Sequence, residues 1–336
     1  MDTATIAHRD FPTLGATTGV VVIGRNEGER LIRCLDSLAP YRDRTVYVDS
    51  GSSDGSIEAA TERCAFVLQL DMTRPFTAAR ARNAGFDALM QRWPGTAFVQ
   101  FVDGDCEVDG RWIETAAAFL IARKDVALVF GRRRERHPER TIFNAMCDRE
   151  WDGVPGEVQE CGGDILIRAS ALRKLGGYSN HLIAGEEPEL CIRLREKAWR
   201  IWRLPAEMTR HDADITRVGQ WWKRSVRCGH AYAEVSHLHR GSPFRIWTRN
   251  VRRSVFWGAL LPLIALVGAA VQPAALGLLL AYPLQVVRLA HRSKAIPDCW
   301  SNALFAVLGK FAEMQGIARF HVNRLIGRRQ AIIEYK

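Results

Sequence analysis

The sequence feature that most constrains the fold is a long stretch without charge near the C-terminal end. From Val255 to Val287 the chain contains no Asp, Glu, Lys or Arg. Because an α-helix needs about 20 apolar residues to cross a ~30 Å hydrocarbon core, this stretch is long for one crossing and short for two. Three prolines are expected to interrupt the stretch: Pro262, Pro273 and Pro283. Gln272-Pro273 lies near its middle. The pattern therefore predicts two short helices joined by a tight turn.

Basic residues flank the uncharged stretch on both sides. They are Arg240, Arg245, Arg249, Arg252 and Arg253 before it, and Arg288, Arg292 and Lys294 after it. Since basic flanks stay on the cytoplasmic side of a membrane, both ends of the stretch are expected there. This favours a re-entrant or shallow hairpin over two full spans, at the cytoplasmic face of the inner membrane and with its lipids as partners. A buried helical hairpin that supports a dimer is the alternative.

The segment after this hairpin combines an apolar stripe with further cations. The stripe comprises Leu304, Val307, Leu308 and Phe311, and the cations are Arg319, Arg324, Arg328 and Arg329. Such cations can meet anionic lipid headgroups. Nucleic-acid binding would account for the net charge of +10 on 336 residues, but it would leave the uncharged stretch unexplained. We therefore expect no nucleic-acid partner.

The overall composition excludes several classes of protein. With 47% hydrophobic and 25% charged residues, the chain is neither intrinsically disordered, nor collagen-like, nor a small disulfide scaffold. Its eight cysteines show no CxxC spacing, which argues against a cysteine-based metal site. The first 18 residues carry no basic-then-apolar signal segment, so we expect a flexible N-terminus and reduced cysteines on the cytosolic side.

Strand and helix patterns alternate through the first part of the chain. Apolar and β-branched runs predict strands at Val20–Ile23, Thr45–Val48, Cys64–Leu70 and Ala97–Val102. Apolar residues at helical spacing predict helices near residues 31–38, 78–92 and 111–122. This alternation predicts an α/β fold, Rossmann-like, with a mainly parallel sheet covered by helices.

Polar clusters follow three of the predicted strands. Arg25-Asn26-Glu27 follows the first strand, Asp49 to Asp54 the second, and Asp103-Gly104-Asp105 the fourth. Parallel α/β sheets bind ligands at the carboxyl ends of their strands, so the coincidence of three clusters favours a binding site. Loops are polar in most proteins, which is the alternative explanation for any one cluster.

Asp103 and Asp105 are the candidate metal ligands. In an extended segment, carboxylates two residues apart lie on one side, and Gly104 lets the backbone turn closely between them. Mg²⁺ and Mn²⁺ prefer carboxylate oxygens and complete their shells with water and substrate phosphate. The triplet therefore indicates a pyrophosphate-bound metal, with a helix-capping turn as the alternative.

A series of segments, in family order, resembles the motifs of family 2 glycosyltransferases of GT-A fold. They are Val-Val-Ile-Gly-Arg-Asn-Glu (21–27), Tyr-Val-Asp-Ser-Gly-Ser-Ser-Asp-Gly-Ser (47–56), Ala-Arg-Asn-Ala-Gly (81–85), Phe-Val-Asp-Gly-Asp (101–105), Gly-Gly-Asp-Ile-Leu-Ile-Arg (162–168) and Gly-Glu-Glu-Pro-Glu-Leu-Cys-Ile-Arg-Leu-Arg (185–195). Together they cover roughly residues 19–215. The resemblance implies a GT-A nucleotide-sugar domain at 19–240, followed by a helical membrane-associated region at 241–336.

The resemblance also implies which residues bind the nucleotide-sugar donor. Glu27 and Asp49 resemble the residues that hold the ribose and the base, and Asn26 is expected to belong to the same donor site. Arg82 occupies a position that commonly helps to bind the nucleotide. Three residues further along would meet the sugar or the phosphates. Gly162 and Gly163 would let the backbone approach them, and Asp164 would contact a sugar hydroxyl; a plain turn explains the two glycines equally well.

The metal ligands and the cofactor follow from the same resemblance. Asp103 matches the residue nearer the ribose, and Asp105 matches the residue that ligates Mn²⁺ or Mg²⁺. His211 resembles a late histidine that completes the metal shell in many GT-A enzymes. A surface or packing role is the alternative for a single histidine.

The acidic pair Glu186-Glu187 resembles the Glu-Asp motif of the family, whose second carboxylate is the usual catalytic base. Here Glu replaces the expected Asp and reaches about one methylene further, so either carboxylate can face the acceptor. Pro188 suits the first turn of a helix, and the helix dipole favours anions at that end. Acids that only cap the helix are the alternative, and Glu189 is expected to do so.

A further segment resembles, in part, an acceptor motif of processive relatives. In Gln220-Trp221-Trp222-Lys223-Arg224, Lys223 and Arg224 replace the Arg and Trp of a Gln-x-x-Arg-Trp motif that helps to bind acceptor or product. Trp221 and Trp222 are thus candidate contacts to acceptor or product. Aromatic rings beside cations suit a membrane interface equally well.

The implied reaction is an inverting sugar transfer from a nucleotide-diphosphate donor, with a UDP-sugar as the first candidate. An acceptor hydroxyl attacks the anomeric carbon, Glu187 takes the proton, and the metal at Asp105 absorbs charge on the leaving group. The implied acceptor is a glycan or a polyprenyl-linked glycan of a bacterial surface polysaccharide. The chain is compatible with an oligomer.

Two other functions are conceivable for this fold. A sugar nucleotidyltransferase usually opens with a glycine-rich loop and a nearby basic residue, which Gly24-Arg25-Asn26-Glu27 does not resemble. A catalytically inactive membrane scaffold would not require Asp49, Asp103, Asp105 and the acidic pair. Both alternatives therefore explain less of the sequence than a glycosyltransferase does.

Overall fold

The computed structural model describes residues 17–294, 297–328 and 333. Its nine strands are β1 Thr18–Gly24, β2 Thr45–Asp49, β3 Phe66–Gln69, β4 Phe98–Asp103, β5 Cys106–Val108, β6 Val126–Glu135, β7 Gly156–Val158, β8 Ile165–Arg168 and β9 Arg200–His211. They form one sheet in the order β3-β2-β1-β4-β8-β6-β9-β5, and β7 pairs with β9. The strands predicted near residues 20, 45, 66 and 98 are all present.

The first half of the sheet is parallel and the second half is mixed. Strands β3, β2, β1 and β4 run parallel to one another. Strand β8 runs antiparallel to both β4 and β6, whereas β6 and β9 are parallel. The predicted α/β fold is thus confirmed, but the sheet is mixed and not mainly parallel, because four of its strand pairs are parallel and four are antiparallel. Its parallel half carries all three polar clusters, at the carboxyl ends of β1, β2 and β4.

Helices cover both faces of this sheet. They are α1 Glu29–Ser37, α2 Ser56–Thr61, α3 Ala78–Arg92, α4 Trp112–Ala122, α5 Ile142–Glu150, α6 Ala169–Lys174 and α7 Glu186–Glu196. Helix α3 packs very closely on β1 and β2, because a Cβ atom at Gly85 would lie 2.4 Å from Cγ1 of Val21 and 2.9 Å from Cγ2 of Val48. A glycine is therefore needed where α3 crosses the sheet. All eight cysteines are free thiols.

The C-terminal part of the chain is helical. Its helices are α8 Val218–Leu238, α9 Thr248–Val271, α10 Pro273–Arg292 and α11 Cys299–Leu325. Helices α8 and α11 meet at glycines, since a Cβ on Gly229 would lie 2.0 Å from the Glu313 carbonyl oxygen. A Cβ on Gly316 would lie equally close, 2.0 Å, to the Val226 carbonyl oxygen. Helix α8, although it falls within the predicted 19–240 domain, thus packs against the predicted helical region, and the boundary at residue 240 stays a prediction.

Helices α9 and α10 form the apolar hairpin, and they meet at Gln272-Pro273 as predicted. The expectation that the other two prolines also interrupt the stretch is wrong. Pro262 lies inside α9 directly after a π-helical turn at Phe256–Leu260, and such a widened turn relieves the clash of the proline ring. Pro283 lies in the first turn of the α-helical part of α10, Ala281–Arg292, after an opening 3-10 segment.

The hairpin exposes an apolar surface. Both helices are long and apolar enough to cross a membrane, and only 17% and 6% of their most apolar 18-residue windows are buried. Leu263, Leu266 and Leu284 are 58%, 62% and 67% exposed. Within a single chain this surface therefore lacks the cover that a soluble core helix has. In the stripe predicted on α11, Val307 is buried while Leu304 and Leu308 are exposed; Arg329 lies outside the described residues.

Candidate active site

The polar clusters after β1 and β2 are joined into one structure. The Asn26 side-chain oxygen accepts a hydrogen bond from the Ser53 backbone N–H at 2.8 Å, and Ser52 Oγ accepts one from the Asn26 backbone N–H at 2.9 Å. The Gly28 backbone N–H donates to Asp54 Oδ2 at 2.9 Å. These bonds hold the two loops side by side at the carboxyl edge of the sheet, where the predicted donor site lies.

Asp49 and Glu27, the predicted contacts to base and ribose, both have partners within these loops. The buried Asp49 carboxylate accepts from the backbone N–H groups of Gly51 at 2.9 Å and Ser52 at 2.8 Å, and from the Tyr47 hydroxyl at 3.1 Å. Glu27 pairs with Arg30 at 2.9 Å. The geometry thus gives Asp49 a loop-forming role, and its contact with a nucleotide stays a prediction.

Arg82 is the centre of a cluster of ion pairs. Helix α3 places its buried guanidinium between the end of β4 and the first turn of α7. Nη2 lies 2.7 Å from Asp103 Oδ1, and Nη1 lies 2.8 Å from Glu186 Oε1 and 2.7 Å from Glu187 Oε1. One cation therefore serves three carboxylates, which leaves the cluster with surplus negative charge that a divalent cation can offset.

Glu187 has the properties of a general base. It is buried in the first turn of α7, and burial raises its pKa to about 7, with Arg82 opposing the shift and Glu186 adding to it. A carboxylate whose pKa lies near neutral pH is well matched to accepting a proton in catalysis. The structure places Glu186 beside it on the same arginine, so both predicted candidates for the base reach one site.

Glu189, two residues further along α7, has a different environment. It forms a bidentate ion pair with Arg193 and accepts a hydrogen bond from His239 Nε2 at 3.1 Å. Burial alone would raise its pKa, but the bonds from His239 and Arg193 outweigh burial and hold the pKa at about 2. Helix α7 begins at Glu186 with Gly185 as its N-cap residue, and Glu189 lies in the first turn with its carboxylate bound to Arg193 and His239. The expectation that Glu189 caps the helix stays a prediction.

Asp105 and His211 meet although 105 positions of chain lie between them, because β5 pairs with the end of β9 and brings Cys106 opposite His211. His211 Nε2 lies 3.3 Å from Asp105 Oδ2. The possible ligand atoms of Asp105, Cys106 and His211 all lie within 4.8 Å of one another. Carboxylate oxygen suits Mn²⁺ and Mg²⁺, imidazole nitrogen suits divalent transition metals, and a thiol suits softer metals. The residues present therefore fit a divalent cation held by Asp105 and His211, with Asp103 beside them.

Asp164 and Gly163, in the segment that leads into β8, lie against Asp103. The buried Asp164 accepts from the Asp103 backbone N–H at 3.0 Å and from Thr209 Oγ1 at 2.8 Å. A Cβ atom at Gly163 would lie 2.7 Å from Asp103 Oδ2, so a larger residue there would require the Asp103 side chain to shift. Gly162 is exposed with open space where a Cβ would stand. These contacts favour a positioning role for Asp164, and its predicted bond to a sugar hydroxyl stays a prediction.

Arg133 is a site residue that the sequence reasoning missed. Its Nη2 lies 2.8 Å from Asp164 Oδ2 and 3.7 Å from Asp103 Oδ2, so a second guanidinium faces the aspartate that Arg82 binds. The available signal was the run Arg132-Arg133-Arg134 at the end of β6. Alternation of side chains along a strand does not by itself place Arg133, because the pairing of β6 with β9 is irregular between Arg132 and Arg133.

Trp221 and Trp222, the predicted acceptor contacts, belong to the packing between α8 and its neighbours. Trp221 is buried, with ring centroids 5.8 Å from Phe143 and 4.9 Å from Phe305. Trp222 Nε1 donates a hydrogen bond to Gln315 Oε1 on α11 at 2.8 Å. The geometry gives both rings a structural role, and contact with acceptor or product stays a prediction.

Comparison with known sequences points to one family. Residues 19–169 match the family model described as glycosyl transferase family 2. The pre-mycofactocin glycosyltransferase of Mycobacterium tuberculosis is 28% identical over 253 residues, 70% of this chain and 51% of that protein. The succinoglycan biosynthesis protein ExoA of Rhizobium meliloti is 26% identical over 205 residues, 56% of this chain and 61% of that protein. The chain thus spans about half the length of the first relative and about three fifths of the second.

Comparison with solved structures gives the same fold. The mannosyltransferase PcManGT from Pyrobaculum calidifontis, solved in complex with GDP-Man and Mn²⁺, superposes with a TM-score of 0.61 at 17% identity. The match covers 90% of this chain and 87% of that chain. At this identity the likeness concerns the fold alone, which agrees with the mixed sheet described above. Residues 19–169 thus match glycosyl transferase family 2, and the fold of the chain is similar to the GT-A fold.

Proposed function

We propose that the protein is a metal-dependent, inverting glycosyltransferase that moves a sugar from a nucleotide-diphosphate donor, with a UDP-sugar as the first candidate. The observation that carries the proposal is Arg82, which contacts Asp103 and Glu187 at 2.7 Å each. It brings a candidate metal residue and a candidate base into one cluster, as a single displacement requires. The complex of PcManGT with GDP-Man and Mn²⁺ supports the donor class and the metal.

In this reaction a new bond forms between the acceptor oxygen and the anomeric carbon while the bond from that carbon to the diphosphate breaks. Glu187 accepts the proton of the attacking hydroxyl, and Arg82 keeps the carboxylate oriented. A divalent cation held by Asp105 and His211 would offset negative charge on the departing diphosphate. Because the acceptor attacks opposite to the leaving group, the anomeric centre inverts.

The proposed acceptor is a glycan or a polyprenyl-linked glycan in bacterial surface polysaccharide synthesis. The similarity to a succinoglycan biosynthesis protein supports a polysaccharide product. The exposed apolar surface of α9 and α10 supports membrane association through residues 255–287. We place the site at the cytoplasmic face of the inner membrane, because basic residues flank the hairpin at both ends.

The test incubates the purified full chain, in an uncharged detergent, with a panel of nucleotide sugars and either Mn²⁺ or Mg²⁺. Release of nucleoside diphosphate with one donor is the expected result, and NMR of the product should show an inverted anomeric configuration. Release of pyrophosphate would instead indicate a nucleotidyltransferase. Failure to release nucleoside diphosphate with every donor and metal would overturn the proposal.

A further inference from the structure

A cavity of about 320 Å³ lies between the glycosyltransferase domain and the apolar hairpin. Helices α5, α8, α9, α10 and α11 all contribute to its wall. Its volume lies at the lower end of the range of small-molecule binding sites, roughly 300–1,000 Å³. The wall residues that carry the following argument are Trp221, Arg224, Arg253, Trp257, Leu289 and Lys310.

The wall of this cavity combines aromatic rings with cations. Trp221 and Trp257 belong to its apolar part, and Arg224, Arg253 and Lys310 to its basic part. Arg224 pairs with Glu150 at 3.0 Å, and Lys310 pairs with Glu313 at 2.6 Å. Arg253 is exposed and forms no ion pair with any carboxylate of the described residues. The charged wall therefore has one more cation than carboxylate, which favours an anionic ligand.

The cavity also lies between the apolar hairpin and the residues that adjoin the candidate metal site. On one side Trp257 and Leu289 belong to the hairpin, whose outer surface is apolar and exposed. On the other side Glu150 belongs to the wall, and the next residue, Trp151, packs edge-on against His211 with ring centroids 4.8 Å apart. A molecule in the cavity would thus contact the membrane-facing helices while its other end lies beside the residues that adjoin the candidate metal site.

From the lining, the charge and this position we infer that the cavity binds the phosphate-bearing end of a membrane lipid. The phosphate is held by Arg253 together with Arg224 and Lys310, and the first carbons of the chain pack on Trp257 and Leu289. A volume of about 320 Å³ suits a headgroup and part of one chain. The inference rests on the proposed function and deepens it, because it names phosphate-bearing lipids as the class of acceptor.

The experiment measures binding by calorimetry to the full chain in an uncharged detergent. The probes are dodecyl phosphate, dodecanol and inorganic phosphate, so that the lipid source and the free-phosphate source of the same chemistry are separated. Dodecyl phosphate should bind at least about tenfold more tightly than either of the other two. Equal binding of dodecanol would overturn the phosphate contact, and equal binding of inorganic phosphate would overturn the lipid contact.

Variants locate the site within the chain. Arg253→Gln should weaken the binding of dodecyl phosphate at least about fivefold, whereas the matched control Arg252→Gln should not, because Arg252 is exposed on the same helix but does not line the cavity. Gly309→Leu should abolish binding by filling the cavity, since a Cβ there meets only Trp221 Cζ2 at 3.6 Å. Equal losses in the two arginine variants would indicate general surface charge and overturn the assignment.

Slow hydrolysis of the donor without acceptor separates this inference from the proposed function. A protein that releases nucleoside diphosphate but does not bind dodecyl phosphate overturns the lipid site and leaves the transferase intact. A protein that binds dodecyl phosphate through Arg253 but hydrolyses no donor keeps the site as a lipid-phosphate site, and overturns the transferase and with it the role of that lipid as acceptor.

Discussion

The glycosyltransferase domain buries charged side chains, whereas the apolar hairpin exposes apolar ones. In the domain, Asp49, Asp164 and Glu187 are buried and have hydrogen-bond or ion-pair partners within the chain. In the hairpin, leucines such as Leu266 stand 62% exposed to the surroundings. A large exposed apolar surface marks a site of contact with a partner or a membrane. The buried charges of the domain therefore find their partners within the chain, whereas the exposed leucines of the hairpin require an apolar partner outside the chain.

This difference indicates that the domain carries the groups for catalysis and that the hairpin determines where the enzyme is located. The carboxylates of the domain gather around two arginines at the carboxyl edge of the sheet, where burial strengthens each electrostatic interaction. The hairpin contributes no acid or base to that cluster. Changes in the first region should therefore affect turnover, and changes in the outer surface of the second should affect membrane partition.

The largest expected effect is on turnover and comes from the candidate metal residue. Asp105→Asn should lower the release of nucleoside diphosphate by about 10⁴-fold, because a metal ion stabilises developing charge by several kcal/mol and each 1.36 kcal/mol is tenfold in rate. Assays across Mn²⁺ and Mg²⁺ concentrations measure it, with the exposed Asp43→Asn as the control. Unchanged turnover in Asp105→Asn would show that the metal assignment is wrong.

The next effect concerns the base. Glu187→Gln should lower turnover about 10³-fold, since a positioned general base contributes roughly 10²- to 10⁴-fold. Glu186→Gln keeps the base and should lose less. Calorimetry with the nucleoside diphosphate and Mn²⁺ should show that both variants still bind product. An active Glu187→Gln protein together with an inactive Glu186→Gln protein would assign the base to Glu186 instead.

A smaller effect is expected on the pH dependence of turnover. Because the base must be deprotonated and burial raises the pKa of Glu187 to about 7, kcat/KM should fall as the pH falls through about 7. Arg82 lowers that pKa, so Arg82→Met should move this acid limb to higher pH. Arg92→Met, exposed on the same helix, should leave the limb in place. A limb that stays put in Arg82→Met would contradict the pairing of Arg82 with Glu187.

The smallest effect on turnover is expected from the hairpin surface. The combined substitutions Leu263→Glu, Leu266→Glu and Leu284→Glu should move the protein from the membrane fraction to the soluble fraction, because charge inside a bilayer costs about 2–3 kcal/mol per residue. Donor hydrolysis should stay within about twofold. Val154→Glu, at an 85% exposed position of the domain, is the control for added charge. If partition did not change, the hairpin would not be the membrane contact.

Much of the fold could be predicted because local patterns decide it. The four strands and three helices predicted between Thr18 and Ala122 lie within a few residues of their predicted positions, since side-chain period and turn residues act over short distances, whereas the short strand β5 was not predicted. The same local pattern placed Asp103 and Asp105 at the end of a strand. The π-helical turn before Pro262 was not predictable. Such a turn accommodates the proline ring within the helix, and no pattern of apolar or charged residues in the sequence marks it.

The pairing within the site depends on contacts between distant parts of the chain. Arg82 reaches Glu186 over a separation of 104 residues, and His211 reaches Asp105 only because β9 pairs with β5. Arg133 faces Asp164 because β6 and β8 are neighbours in the sheet. No periodicity in the sequence specifies which elements are neighbours. The hydrogen-bond and ion-pair partners of these side chains therefore could not be assigned until the strand order was known.

The sequence by itself determined which chemical groups this protein has and where its uncharged stretch lies. Hydrophobic period, turn residues and family motifs depend on residues that are near neighbours along the chain, so the sequence alone reveals them. Tertiary structure alone decided that Arg82 joins Asp103 to Glu187, that Trp221 packs inside a cluster, and that the hairpin leucines stay exposed. The physical reason is that ion pairing and burial are properties of the space between elements, which the order of strands and the crossing of helices create.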